Sequence, residues 1–305
     1  MADPALRLPT NAPGPVFVDQ TCIDCDACRR LAPSVFDDTG ERSYVRRQPC
    51  TDEEIVQTLR AVVACPVGAI GDQQRRSLSN AAASFPLRID GPVSELGFHA
   101  RSSYGATSYL LEHPDGNWMV DAPRWNSGLA AAIGQLGGVS TIFLTHRDDV
   151  ADAARYARHF GAERIIHARD RSAMPDAEIV IEGDETIAFG PCTIVPTPGH
   201  TRGHCVLHHG EYLFTGDHLA WDRERGVLRA NRDVCWYDWP TQLRSVARLR
   251  DLSFCWVLPG HGDRVCLDPA NMRIMLDDIA GVSILRQDAR PVLVRRCYPA
   301  TASTL

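Results

Sequence analysis

From about Phe85 onward, apolar residues fall into short β-like runs: TSYLLEH, NWMVDAP, STIFLTH, ERIIHA, AEIVIEG, CTIVPTPGH, HCVLHH, EYLFTGDH and FCWVLPGH. Turn signals separate them, and Asp115-Gly116 between two runs marks a hairpin. Asn126–Leu136, VADAARYARHF and Trp239–Leu252 instead repeat at helical spacing. Upstream, Thr51–Val63 predicts a helix with Thr51 as N-cap and Glu54 completing a capping box. Many strands with interspersed helices predict an α/β or α+β fold in which helices cover sheets.

The remaining stretches set the domain borders. Residues 1–15 are rich in Pro, Ala and Gly and read as a flexible arm; residues 16–71 read as a small cysteine-bearing domain. Polar, small-residue-rich 72–84 reads as a linker, 85–290 as the large domain and 291–305 as a tail. Neither internal repeats nor low-complexity segments are visible.

Composition narrows the function classes. With 44% hydrophobic and 23% charged residues among 305, the chain is an ordinary globular one. A net charge of -6, with scattered arginines, argues against nucleic acid as a partner. No apolar run reaches the ~18 residues that span a bilayer, so no membrane partner is expected. The N-terminus lacks the charged and apolar regions of a secretory signal. Eleven cysteines then point to metal ligation or free thiols in a reducing cytoplasm. No G-x-G-x-x-G after a strand suggests a dinucleotide.

The cysteines carry the first specific chemistry. CIDCDACRRLAP places Cys22, Cys25 and Cys28 at C-x2-C-x2-C spacing, and ACPVGAI supplies Cys65 before Pro66. Such a triplet wraps one face of an iron–sulfur cube and a distant Cys-Pro closes the fourth corner. Residues 16–71 resemble bacterial-type ferredoxins in this respect. Where two-cluster members carry a further cysteine, this chain has Ala32 before Pro33, and Ile55, Thr58 and Ala61 occupy the places of a second triplet. The resemblance therefore implies one [4Fe–4S] cluster held by Cys22, Cys25, Cys28 and Cys65. Cys50 lies near Cys65 in sequence, and Cys192, Cys205, Cys235, Cys255, Cys266 and Cys297 lack ligand spacing and read as small apolar residues.

Four strand ends in the large domain finish in metal-capable residues: LTHRDD, TPGHTRGH, FTGDH and LPGHG. Their order and spacing resemble the metallo-β-lactamase superfamily over residues ~85 to ~285, which implies an αβ/βα four-layer sandwich with one or two metals at the sheet edges. The family's first motif is T-H-x-H-x-D-H. Thr145 and His146 match it, Asp148 stands at the second His position, and Val150 and Ala151 occupy the later Asp-His pair. His200, Asp217 and His261 match the later ligands. The implied metal residues are His146, Asp148, His200, Asp217 and His261. One ion keeps an oxygen-rich donor set suited to non-heme iron, with zinc as the alternative. The second position retains only Asp217 and His261 unless Asp149 or Asp152 rescues it. Both acids also fit as N-cap and N3 of the following helix.

Three functions remain open. The first is a redox enzyme in which the ferredoxin domain, charged by an electron-donor reductase, feeds a non-heme iron site acting on a small-molecule substrate. The alternative is a zinc hydrolase of esters, thioesters or lactams, with Asp149 or Asp217 as base and a structural or regulatory cluster. The third is a non-catalytic redox sensor or electron carrier. Asp149, Asp217 and His218 are the candidate catalytic residues, with a substrate role for His218 weighed against a supporting one. Trp236, Tyr237 and Trp239 read as aromatic core, with a pocket wall as the alternative.

Overall fold

In the computed structural model, which describes residues 2–281, the N-terminal stretch is not the loose arm its composition suggests. Asn11 is buried and its amide is fully used: Nδ2 donates to Leu8 O and Val18 O, each at 2.8 Å, and Oδ1 accepts from Val18 N and Val45 N, each at 3.0 Å. Arg7 adds bonds to Ala12 O and Gly14 O at 2.8 and 2.9 Å. Composition marks a loop, but a loop whose backbone groups find partners is held in place.

The chain divides into two compact units. Among the described residues, the first takes in 2–88, 92–140 and 151–161; the second takes in 89–91, 141–150 and 162–281. The expected tail 291–305, the end of the expected 85–290 domain and Cys297 lie outside the described residues. Among the described residues, no helix is long and apolar enough to cross a membrane.

In the first unit, strand Val16–Val18 pairs antiparallel with Ile70–Asp72, and Phe36–Asp38 with Ser43–Val45. Helix Asp52–Ala64 begins as expected, Thr51 Oγ1 accepting from Glu54 N at 3.2 Å. Its reciprocal bond differs: Glu54 accepts from Cys50 N at 2.8 Å and pairs with Arg47. The expected linker is partly built into the unit, since it contributes the end of strand Ile70–Asp72 and helix Ser79–Ala83, with Ala81 buried. Strands Val93–Glu95, Tyr109–Leu111 and Trp118–Val120 form an antiparallel meander that turns at Asp115-Gly116 as the hairpin signal predicts. Asn126 caps helix Ser127–Gln135, accepting from Leu129 N at 2.9 Å.

Helix Ala153–Phe160 starts later than its pattern predicts, which corrects the capping roles. Asp152 occupies the N-cap position without a side-chain cap bond; its carboxylate accepts from Trp125 N at 2.6 Å instead. Asp149 stands outside the helix altogether.

The second unit holds parallel strands Thr141–Phe143, Glu163–His167 and Ile179–Ile181. A six-stranded sheet follows in the order Ile187–Phe189, Cys192–Pro196, Cys205–His209, Tyr212–Gly216, Trp256–Pro259, Val265–Cys266. Helices Trp239–Arg248 and Pro269–Ile279 bury Val246, Met272 and Leu276 in one cluster with Val206, Leu213 and Val257 of that sheet. The fold is mixed α/β, as the alternation of patterns predicts.

Candidate metal centre

The cysteine cradle lies within the first unit. Cys28 sits in the first turn of helix Ala27–Leu31, and Cys65 caps the C-terminal end of helix Asp52–Ala64. The backbone turns left-handed at Asp24 and Asp26, between Cys22 and Cys28, and at Gly68 just after Cys65, with φ of 59°, 68° and 65°. These turns aim backbone N–H groups inward, with Asp24 N donating to Cys22 Sγ at 3.5 Å and Ala69 N to Cys65 Sγ at 3.3 Å. All four cysteines line one cavity with Ile23, Val67 and Ile70. Burial pushes the thiols of the triplet up, Cys25 to about 11 and Cys28 well above its usual value, and neighbouring thiolates push further. Four thiolates in so dry a place need cationic iron, and inward N–H groups are what cluster sulfurs accept from. The residues fit an iron–sulfur cluster. Cys50 is exposed, its Sγ 3.2 Å from Gln48 O, and does not line the cavity.

A second cluster of donors lies within the second unit. His146 follows strand Thr141–Phe143, His200 follows Cys192–Pro196, Asp217 follows Tyr212–Gly216 and His261 follows Trp256–Pro259. His146 Nε2 stands 3.9 Å from both Asp148 Oδ2 and Asp217 Oδ2; His200 Nε2 stands 3.8 and 3.7 Å from the same atoms. Donors each roughly 2.0–2.2 Å from a shared ion have such mutual spacings. Burial lowers His146 to about 3 and lowers His200, which keeps both imidazoles neutral and free to donate lone pairs. Burial alone would raise Asp217, but the charge and hydrogen bond of His261, with His146 and His200, hold it below the usual carboxylate range. Asp148 is half-exposed, and burial raises its carboxyl. This oxygen-rich set fits a divalent ion.

Asp149 is 1% exposed and turns into this cluster, its Oδ2 4.0 Å from His146 Nδ1. Asp217 Oδ1 lies 2.7 Å from His261 Nδ1. A Cβ on Gly260 would stand 2.8 Å from Asp149 Oδ2 and 2.9 Å from Asp217 Oδ1, so a glycine is required where both carboxylates come in. Adjacent Asp148 and Asp149 therefore take different stations, one half-exposed and one buried. Val150 brings no donor atom, and Asp149 shares a donor group with His146 and Asp217.

His218 is not where a residue meeting substrate would be. It is 0% exposed, and its ring stacks on His204 with centroids 5.3 Å apart. His204 in turn lies 5.2 Å from the His146 ring and is tied by Nδ1 to Thr197 Oγ1 at 2.9 Å. Burial takes His218 down to about 3 and His204 well below its usual value, so both are neutral. They back His146 from the interior.

Two features escape sequence reasoning. Asp170 is fully buried and accepts from Thr201 Oγ1 at 2.5 Å, Gly203 N at 3.1 Å and Arg147 N at 3.2 Å. It thereby joins the loop after His146 to the loop after His200; its position just past strand Glu163–His167 was the available signal. Trp236 and Tyr237, read as core, are 60% and 46% exposed. Their backbone N–H groups donate to His200 O at 3.0 and 3.1 Å, and Arg202 lies over the Tyr237 ring. They form a wall beside His200, while Trp239 packs against the core.

Residues 18–72 match the model of the 4Fe-4S single cluster domain of Ferredoxin I. The chain is 31% identical over 114 residues to a hydroxyacylglutathione hydrolase of Stenotrophomonas maltophilia, covering 36% of this chain and 45% of that protein. A protein of the same name from Yersinia pestis is 37% identical over 115 residues, covering 36% and 46%. The chain thus spans less than half the length of these curated relatives. A solved structure similar to it is ETHE1 from Myxococcus xanthus, with 17% identity and a TM-score of 0.46 over 62% of this chain and 84% of that one.

Proposed function

We propose that this chain joins a single-cluster ferredoxin domain to a metallo-β-lactamase fold, and that the cluster serves as electron donor to a non-heme iron site that carries out redox chemistry on a small molecule. The observation that carries this reading is the donor set of His146, His200, Asp148 and Asp217, with separations of 3.7 to 3.9 Å. Two imidazoles with carboxylates suit iron and leave room for a substrate. Bound, the cluster supplies single electrons and the iron a redox-active Lewis acid.

The residues divide the work. Neutral His146 and His200 would hold the ion, backed by His204 and Thr145, whose Oγ1 lies 3.0 Å from His146 Nδ1. Asp217 spans the two donor groups, anchored by His261. Half-exposed Asp148 faces the incoming substrate, and Trp236 and Tyr237 wall its approach. Asp149, grouped with His146 and Asp217, would add a further carboxylate donor beside the ion. A reductase in the cell would recharge the cluster.

The test is anaerobic purification with metal counting and spectroscopy of both iron classes. This reading expects non-cluster iron near one per chain and reoxidation of the dithionite-reduced cluster that slows in His200→Ala. Zinc in the site, with cluster reoxidation indifferent to His200, overturns it.

The hydroxyacylglutathione hydrolase relatives favour a second reading, a zinc thioesterase with a structural cluster. Stoichiometric zinc and thioester hydrolysis that persists whether the cluster is oxidised or reduced would support it.

A further inference from the structure

A segment far from the cysteines in sequence closes over their cradle within the first unit. Gly105, with φ +87°, lies so near that a Cβ there would stand 2.6 Å from Cys25 Cβ, 2.8 Å from Cys25 Sγ and 3.1 Å from Pro66 Cγ. Its carbonyl meets His99 Nδ1 at 2.6 Å, and His99 N donates to Ala64 O at 3.2 Å. Arg124 ties these pieces together. Its Nη1 donates to His99 O at 2.8 Å and Cys65 O at 3.3 Å, and its Nη2 to Val63 O at 2.7 Å. Its own backbone N donates to Phe98 O at 2.9 Å, and its guanidinium sits 5.6 Å from the Phe98 ring.

What sets Arg124 apart is the kind of partner it has. Its contacts are carbonyls and an aromatic face, and no carboxylate of the described residues lies within salt-bridge distance. Arg29, by contrast, is engaged by Asp24, Asp26 and Asp38 on the other side of the cradle. Carbonyl dipoles hold a guanidinium in place without cancelling its charge. That charge therefore stands, partly desolvated, on the residue that closes the cluster's fourth corner.

We propose that Arg124 sets the reduction potential of the cluster. Gaining one electron makes a four-thiolate cluster more negative by one charge, and a fixed cation beside Cys65 stabilises that reduced form more than the oxidised one. The potential is thereby raised, which makes the cluster easier for a donor to fill. Arg124 acts through Cys65 and touches no substrate; it is a positioning and tuning residue. The inference rests on the four cysteines holding a cluster and is independent of which metal the second unit binds.

The experiment is a mediated redox titration of the full-length, cluster-loaded protein, followed by electron paramagnetic resonance, for wild type, Arg124→Gln and Arg124→Lys. Arg124→Gln is expected to shift the potential negative by at least a tenfold change in the one-electron equilibrium, 59 mV. Arg124→Lys, which keeps charge but loses the fork, stays within that margin of wild type. A cluster lost in Arg124→Gln but held at the wild-type potential in Arg124→Lys also supports a requirement for charge. An unmoved potential in cluster-replete Arg124→Gln overturns the proposal. So do an equal shift in both variants and loss of the cluster from both, each of which marks a structural clamp instead. A wild-type chain without cluster absorbance would instead defeat the cluster assignment itself.

Discussion

Asp217 and His261 share a 2.7 Å hydrogen bond from Oδ1 to Nδ1, while the other oxygen of the carboxylate faces His200 Nε2 at 3.7 Å. One carboxylate thus faces His146 and His200 through one oxygen and His261 through the other, and it shares a donor group with His146 and Asp149. Burial opposes its ionisation, but the charge and hydrogen bond of His261, with His146 and His200, outweigh burial and keep it ionised, free to face a cation at neutral pH.

His200→Ala removes one of the two buried imidazoles that face both Asp148 and Asp217. Non-cluster metal is expected to fall at least tenfold in the purified protein, while the cysteine-held cluster keeps its absorbance. Elemental analysis together with the visible spectrum measures both, and full occupancy in the variant would refute the assignment.

Asp149→Asn separates ligation from helix capping. Had Asp149 capped helix Ala153–Phe160, its loss would cost about 1 kcal/mol of stability in the metal-free chain. The structure puts its carboxylate against His146 and beside Asp217, where a second negative charge repels the first until an ion joins them. The expected result is weaker metal binding, tenfold or more, with a urea midpoint of the metal-free chain equal to or above wild type. A lower midpoint with unchanged affinity would restore the capping role.

The cysteine triplet and the four histidine- or aspartate-bearing strand ends were legible because their ligand spacing is local or tied to strand termini. Which of Asp148 and Asp149 turns inward was not legible, because it depends on the path of a non-helical turn that only the packing of Gly260 defines. Arg124 carries no motif at all; its role arises from carbonyls 59 and 61 residues away in sequence. Asn11 likewise looks like a loop residue until Val18 and Val45 come to its amide. Trp236 and Tyr237 misled by chemistry, since hydrophobic rings suggest burial while their backbone bonds to His200 hold them outward.

Gly105→Ala tests whether the segment over Cys25 matters to the cluster. Gly40 is the control: its φ is +86° against +87° for Gly105, but nothing lies within 4 Å of its missing Cβ. Gly40→Ala is expected to cost about 1 kcal/mol from backbone strain alone and to leave cluster content intact. Gly105→Ala adds a clash with Cys25 and should lower cluster content severalfold and speed its loss in air. Equal cluster retention in the two variants would show that the segment is not pressed against the cradle.

The strand that leads to Asp170 is held by a clamp whose pH dependence has a definite sign. Arg164, buried in strand Glu163–His167, bonds Glu178 through Nε at 2.9 Å and Nη2 at 2.7 Å. That hydrogen-bonded guanidinium holds the Glu178 carboxyl at about 2, against 4.5 ordinarily. Because the folded value is the lower one, the clamp stabilises the fold fully above pH 4.5, and the contribution fades as pH falls from 4.5 to 2. Glu178 is 40% exposed, so solvent screening limits the effect to about 1 kcal/mol. Chemical denaturation of wild type and Glu178→Gln should therefore show a gap near neutral pH that closes towards pH 2, where Glu178 is itself protonated. A gap that stays constant across this range would place the stabilisation in packing, not in the charge of Glu178.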